Sequence, residues 1–248
     1  MKKKIINKSH FLKINLNSAK EMSKNSALKK KSYELIKLAN HYRWIHQTTW
    51  MGEPILNIAQ DIFAMQEIIY SYKPEYIIEI GVAWGGSLLF YSNLLNLNKG
   101  KKIIGIDIFV PNDLKKRIFK DKKISKNIIL MQADSTSEKT LGKVKNIIKK
   151  SKKVIVILDS NHTEDHVLKE LNLYSGLVKK GGYLICCDTL IDYVPQPDNR
   201  PRPWGPENNP ATALKKFFKV NKRFAVDKKI ENKLLLSSNF GGYLKALK

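Results

Sequence analysis

Short, almost uninterrupted apolar runs alternate along the chain with longer segments of helical periodicity. The runs are Tyr76–Gly81, Lys102–Phe109, Ile128–Asp134, Val154–Asp159 and Tyr183–Asp188. Between them lie helical patterns at Ser87–Leu97, Ser137–Lys150 and Glu164–Val178, with a basic connector at Leu114–Lys123. An amphipathic helix is expected ahead of the first run, over Asp61–Tyr72. Apolar strands alternating with helices predict a parallel sheet covered on both faces. The rhythm changes after the fifth run. Asn209-Pro210 is a helix start, with Asn as cap and Pro in the first turn, and the helix should reach Lys219. β-like runs follow at Phe224–Ile230, Lys233–Ser237 and Tyr243–Leu247.

Composition bounds this picture. A chain of 248 residues, 43% hydrophobic and 27% charged, excludes a mainly disordered protein. No stretch approaches the roughly 20 apolar residues of a membrane-spanning helix. Met1–Asn17 is lysine-rich and lacks the apolar run of a signal peptide. The two cysteines, Cys186 and Cys187, are adjacent and make no disulfide framework, so the expected compartment is the cytoplasm. Residues 1–41 are polar and basic, with a short helix expected at Ser32–Asn40, and read as an accessory arm. Residues 42–248 read as the main domain.

The net charge is +23, carried by 45 basic residues of which only five are arginine. Lysine, isoleucine and asparagine are all abundant, as an AT-rich genome produces, and proteins that read phosphates or bases draw more on arginine's planar fork. The surplus therefore reads first as a solvated surface. Nucleic acid is the disfavoured partner, and a phosphate or membrane-surface contact is the alternative.

The chemistry gathers where the strands end. The first strand runs into Glu79-Ile-Gly81-Val-Ala-Trp-Gly85-Gly86-Ser87, a turn that lets backbone approach a nucleotide-like ligand. Its spacing is not the dinucleotide fingerprint. An acid two residues before the first glycine suits the cationic end of S-adenosylmethionine (SAM). A parallel sheet ending in a β-hairpin is likewise the layout of class I SAM-dependent methyltransferases. Asp107, Asp134 and Asp159 close the next three strands, at the end where ligands sit in open parallel sheets. Asp107 is placed for ribose hydroxyls and Asp134 for the adenine amino group. Each acid also has a plain reading as a helix cap. If the fourth and fifth strands are neighbours, Asp159 and Asp188 share a rim, and two facing carboxylates call for a cation or a proton. His162 flanks the same pocket and suits a general base, or else it is a surface residue. His166 reads as helix surface. The loop Asp192–Asn208, with Tyr193, Arg200, Arg202 and Trp204 among five prolines, reads as a substrate wall or lid, its aromatics either stacking on a sugar or anchoring the loop.

These residues carry a pattern. Trp50-Met-Gly52, Asp61 through Ile69, Lys73-Pro74-Glu75, Ile78-Glu79-Ile80-Gly81, Gly85-Gly86-Ser87, Leu158-Asp159-Ser160-Asn161-His162-Thr163, Asp188-Thr189, Arg202-Pro203-Trp204-Gly205-Pro206 and Gly241-Gly242-Tyr243-Leu244 occur in order. From Tyr42 to the C-terminus the sequence resembles the cephalosporin hydroxylase family. That family has the class I methyltransferase fold and includes rhamnosyl O-methyltransferases, with macrolide-sugar O-methyltransferases related. The resemblance implies a Rossmann-like, mostly parallel seven-stranded sheet and transfer of methyl from SAM to a sugar hydroxyl of a glycan, glycolipid or secondary metabolite. It also implies magnesium or another divalent cation. Asp159 and Asp188 would be its ligands and His162 the base. Glu79, Gly81, Gly85, Gly86, Ser87, Asp107, Asp134 and Asp159 would bind cofactor, and Tyr193, Arg202 and Trp204 the acceptor. Cys187 stands where the family pattern has a ligating glutamate, and thiolate suits magnesium poorly. Trp84 departs from the expected basic or imidazole side chain. Related enzymes form homo-oligomers. The alternatives are a non-catalytic partner subunit, which Cys187 would favour, and an RNA methyltransferase, which the charge would favour.

Overall fold

A computed structural model describes residues 7–195 and 200–248; part of the 192–208 loop, Pro197 included, lies outside them. Two helices come first, α1 (Lys8–Lys24) and α2 (Ser26–Asn40). Then follow the short strands β1 (Thr49–Trp50) and β2 (Glu53–Pro54), and helix α3 (Ala59–Tyr72). The alternating region is β3 (Tyr76–Ile80), α4 (Gly86–Leu97), β4 (Lys102–Asp107), α5 (Asn112–Ile118), α6 (Lys122–Ser125), β5 (Ile128–Gln132), α7 (Glu138–Ile148), β6 (Val154–Leu158), α8 (Glu164–Ser175) and β7 (Tyr183–Cys186). It closes with α9 (Pro210–Val220), β8 (Phe224–Val226), α10 (Lys228–Glu231) and β9 (Tyr243–Ala246).

The seven main strands are ordered β5-β4-β3-β6-β7-β9-β8. Strands β3 to β7 are mutually parallel, and β9 runs antiparallel between β7 and β8. This is the expected sheet with its hairpin ending. The strand period of two splits the apolar residues between two cores. Ile77, Ile103, Ile155 and Ile185 face α3, α4 and α5. Ile78, Ile104, Val156 and Leu184 face α7, α8 and α9. The adjacent cysteines follow the same rule: Cys186 enters the second core and Cys187 the first, both as free thiols. No helix among the described residues is long and apolar enough to cross a membrane.

Four expectations change. The arm is not one short helix. It is α1, with no buried residue, and α2, whose Ile36 is fully buried against Ile58, Leu190 and Val194. The basic connector folds as α5 and α6. The run Phe224–Ile230 is strand only to Val226; Asp227 then caps α10 by accepting from the Lys229 N–H. Residues 233–237 form no strand, because their backbone is held by side chains of α3. Gln60 Oε1 accepts from the Leu235 and Leu236 amides, and its amide donates to the Lys233 carbonyl.

Asp61, from the next turn position of α3, fastens the same segment. It is fully buried and accepts from the Ser237 hydroxyl (2.5 Å), the Tyr243 hydroxyl (2.7 Å), and the amide (2.8 Å) and hydroxyl (3.2 Å) of Ser238. Burial raises its carboxyl from an ordinary 3.8 to about 6, against the lowering effect of these donors. The folded protein therefore keeps a proton that the unfolded chain has released between those values, and stability falls as pH rises through that window. Asp61→Asn removes the slope. In urea titrations, wild type should lose on the order of 3 kcal/mol relative to the variant between pH 4 and pH 7. A wild type that gains instead would show that the four donors keep the carboxylate ionised.

Candidate functional site

Strand β3 sits where the connections change direction: α4 leads outward to β4, and α7 brings the chain back to β6 on its other side. A crevice opens at such a switch point. Its geometry depends on Gly81, at φ +90°. A Cβ there would lie 2.0 Å from the Asp159 carbonyl oxygen. The turn beyond it is tied down by Asp107, whose Oδ2 accepts from the amides of Val82 (2.8 Å) and Ala83 (3.2 Å) and whose Oδ1 accepts from Phe109 (3.0 Å).

Two adjoining cavities occupy the crevice and share Gly81, Ala83, Asp159, Ser160 and Trp204. The first, about 260 Å³, is lined by Trp84, Ser87, His162, Asp188, Arg200 and Arg202, and also by Ile36 and Asn40 of α2. The second is lined by Asp107, Asp134, Ser135 and His166. At the floor of the first, Asp159, His162 and Asp188 each offer a ligand atom within 4.8 Å of the others. His162 Nε2 is 3.2 Å from Asp188 Oδ2. Burial, and then the Asp188 charge, push the Asp159 carboxyl well above the usual range. Such a pair of hard oxygen donors could hold a divalent cation beside the imidazole, and its charge would relieve that repulsion.

Asp188 reaches this position through a left-handed backbone, φ 55°, fixed by its N–H donating to Asn239 Oδ1 at 2.9 Å. The Ser238 hydroxyl lies 3.0 Å from that oxygen and the Ser238 amide donates to Asp61, so the buried Asp61 cluster supports a floor carboxylate through Ser238 and Asn239. Trp204 packs edge-to-face on the His162 ring at 4.8 Å, and the Arg202 guanidinium lies 5.5 Å from the Trp204 ring centroid.

Gly81, Ser87, Asp107, Asp134, Asp159, His162, Asp188, Arg202 and Trp204 thus meet in one crevice. Others do not line it. Glu79 is buried beneath the turn, where burial raises its carboxyl to about 8, with a Ser87 contact opposing and Asp107 adding to the rise. Gly85 caps α4 and Gly86 abuts the Pro54 carbonyl. Tyr193 stacks on Tyr33 of α2 at 4.9 Å. Cys187 is buried in the apolar core, where desolvation and then the neighbouring Asp159 and Asp188 charges push its thiol well up; its sulfur is not among the ligand atoms that gather within 4.8 Å. Asp159 caps no helix, since Thr163 holds that position before α8.

Several residues escaped the sequence reading. His166 is not plain helix surface. Its Nε2 lies 2.9 Å from Glu170 Oε1, which also accepts from the hydroxyls of Ser135 (2.5 Å) and Ser160 (2.7 Å). Ser135 follows Asp134 and Ser160 follows Asp159, so buried Glu170 joins two acid-bearing loops. The i,i+4 spacing of His166 and Glu170 was the available signal. Asn40 and His46 gave none.

A family model described as Rhamnosyl O-methyltransferase/CmcI matches residues 42–247. The chain belongs to the rhamnosyl O-methyltransferase/CmcI family. It is 29% identical over 150 residues to a rhamnosyl O-methyltransferase of Mycobacterium leprae, covering 60% of this chain and 63% of that one. A Mycobacterium bovis protein of the same description is 25% identical over 163 residues, covering 62% and 64%. The chain thus spans less than two thirds of the length of these relatives. An apo structure of CmcI superposes with a TM-score of 0.56 at 20% identity, covering 82% of this chain and 77% of that one. A second, described as holding Mg and SAM, gives 0.54 at 20%, covering 82% and 78%. Both likenesses establish the methyltransferase-type fold. The family match begins after α2, yet α2 supplies part of the crevice wall.

Gly81 gives the sharpest test of this geometry. Gly81→Ala should unfold more readily by about 2 kcal/mol or more and lose ligand binding at the crevice, read by thermal denaturation with and without S-adenosylhomocysteine (SAH). A variant with wild-type melting and an undiminished ligand shift would contradict the close approach of Gly81 to Asp159.

Proposed function

We propose that this protein transfers the methyl group of SAM to a sugar hydroxyl with the help of a divalent cation. The observation that carries the reading is the meeting of Asp159, His162 and Asp188 at the ends of β6 and β7, beside the Gly81 turn, in a chain of this family. The relatives described as rhamnosyl O-methyltransferases support a sugar acceptor, and the CmcI structure described with Mg and SAM supports both small ligands.

The donor set fits magnesium. Asp159 and Asp188 are hard oxygen ligands, while the Cys187 thiol is neutral and buried and adds nothing to them. A cation held by Asp159 and Asp188 would make a nearby hydroxyl more acidic. The chain's own residues do the rest. The Gly81–Ser87 turn, Asp107 and Asp134 receive the nucleoside and methionine portions, with Glu79 supporting the turn from below. Arg202 and Trp204 wall the acceptor side, and Tyr193 backs it through Tyr33. His162 Nε2, held by the Trp204 ring, takes the hydroxyl proton. The acceptor oxygen donates its electron pair to the methyl carbon, the carbon–sulfur bond breaks, and its electrons remain on sulfur as the SAH thioether. The sulfonium is already a good leaving group, so orientation and deprotonation are what the site contributes. We take residues 42–248 as the methyltransferase domain and 1–41 as an accessory segment that completes the wall.

Transfer of labelled methyl from SAM to a panel of free and nucleotide-linked sugars tests this. Wild type should label a sugar and lose that activity in EDTA. His162→Ala should lower kcat at least a hundredfold while leaving SAM affinity within about threefold. A wild type that binds SAM but labels nothing would favour a non-catalytic partner subunit. An unchanged kcat in His162→Ala would remove the base from the mechanism.

A further inference from the structure

Two of the chain's five arginines, Arg200 and Arg202, line the first cavity, and the charge of a third, Arg43, acts on Arg200. Arg117 pairs with Glu53 and Asp113, and Arg223 donates to the carbonyls of Ser175 and Val178. Both are spent on the fold. Arg43, Arg200 and Arg202 are different. Among the described residues no carboxylate lies within ion-pair distance of any of them.

Arg200 is half-buried and held in place. One terminal nitrogen donates to Asn40 at the side-chain oxygen (2.7 Å) and the carbonyl (3.2 Å); the other lies 3.3 Å from His46 Nδ1. None of these partners carries an opposite charge. Burial and the neighbouring charges of Arg43 and Arg202 all disfavour the Arg200 cation. A guanidinium fixed in such company is poorly compensated until an anion arrives. The compositional drift that explains lysine elsewhere does not apply here: no lysine lines this cavity, while two arginines do. Arginine's rigid fork matches a carboxylate or phosphate as lysine's point charge does not.

We infer that this wall is an anion site and that the acceptor sugar carries a negatively charged group, a carboxylate or a phosphate, bound by Arg200 and Arg202. The inference rests on the methyltransferase reading. The anion belongs to the acceptor rather than to SAM because Arg202 reaches the floor through Trp204, which packs on His162, where the attacking hydroxyl must lie.

The test is calorimetric, on the full chain with saturating SAH and magnesium. The probes are glucuronic acid, glucose 1-phosphate and, as neutral control, methyl glucoside. At least one anionic sugar should bind tenfold or more tightly than the control, and added salt should weaken that preference. Arg202→Gln and Arg200→Gln should each abolish the preference while leaving SAH affinity within about threefold, and Arg200→Lys should restore only part of it. Which anionic probe binds better separates a carboxylate-bearing from a phosphate-bearing acceptor. Equal binding of all three probes, or none detected, overturns the inference. So does a tenfold loss of SAH affinity in both variants, which would assign the arginines to the SAM carboxylate. A wild type that does not bind SAH contradicts the methyltransferase reading itself, and the acceptor assignment falls with it.

Discussion

The contact of Gly81 with the Asp159 backbone is the constraint on which the site depends. Two neighbouring parallel strands end at the same level, the Asp159 N–H donating to the Ile80 carbonyl at 2.8 Å. The turn that follows β3 must then cross directly over the end of β6, and only a residue without a side chain fits there. This single close approach brings the glycine turn and the Asp159 carboxylate to the two sides of one crevice. Register carries the effect further: Leu158 pairs with Cys186, so Asp188 lies at the next rim. The acids of the site follow from the parallel sheet, while Arg202 and Trp204 come to it from the loop before α9.

A second layer of constraint holds Asp188. Its left-handed backbone donates to Asn239 Oδ1, that oxygen lies within hydrogen-bond reach of the Ser238 hydroxyl, and the Ser238 amide donates to Asp61. A fully buried carboxylate in α3, remote from the crevice in sequence and with no atom in either cavity, thus acts on the floor through two hydrogen-bonded residues. Burying such a group is unfavourable unless its bonds are made, so the cluster also specifies how residues 233–243 pack.

This hierarchy explains what the sequence alone made legible. The five parallel strands, the helix after Asn209 and the acids at the strand ends were readable because apolar period and position along a strand are local properties. Asp159, His162 and Asp188 could be paired because strands four and five are neighbours in the common topology. The α1 helix was missed because nothing in it is buried, and the 233–237 segment was misread because Gln60 and Asp61, some 175 residues away, decide its backbone. Glu79, expected at the cofactor, is buried and lines neither cavity. Asn40 and His46 reach the cavity only through the packing of α2 and the segment after it, contacts that no sequence period encodes.

Whether Asp159 and Asp188 pair around a cation is open to direct measurement. Magnesium would be titrated calorimetrically into the full chain saturated with SAH, using wild type and Asp188→Asn. Wild type should bind one ion per chain and the variant at least tenfold more weakly, with SAH still bound by both. No ion bound by wild type, or equal binding by the two proteins, would contradict that pairing.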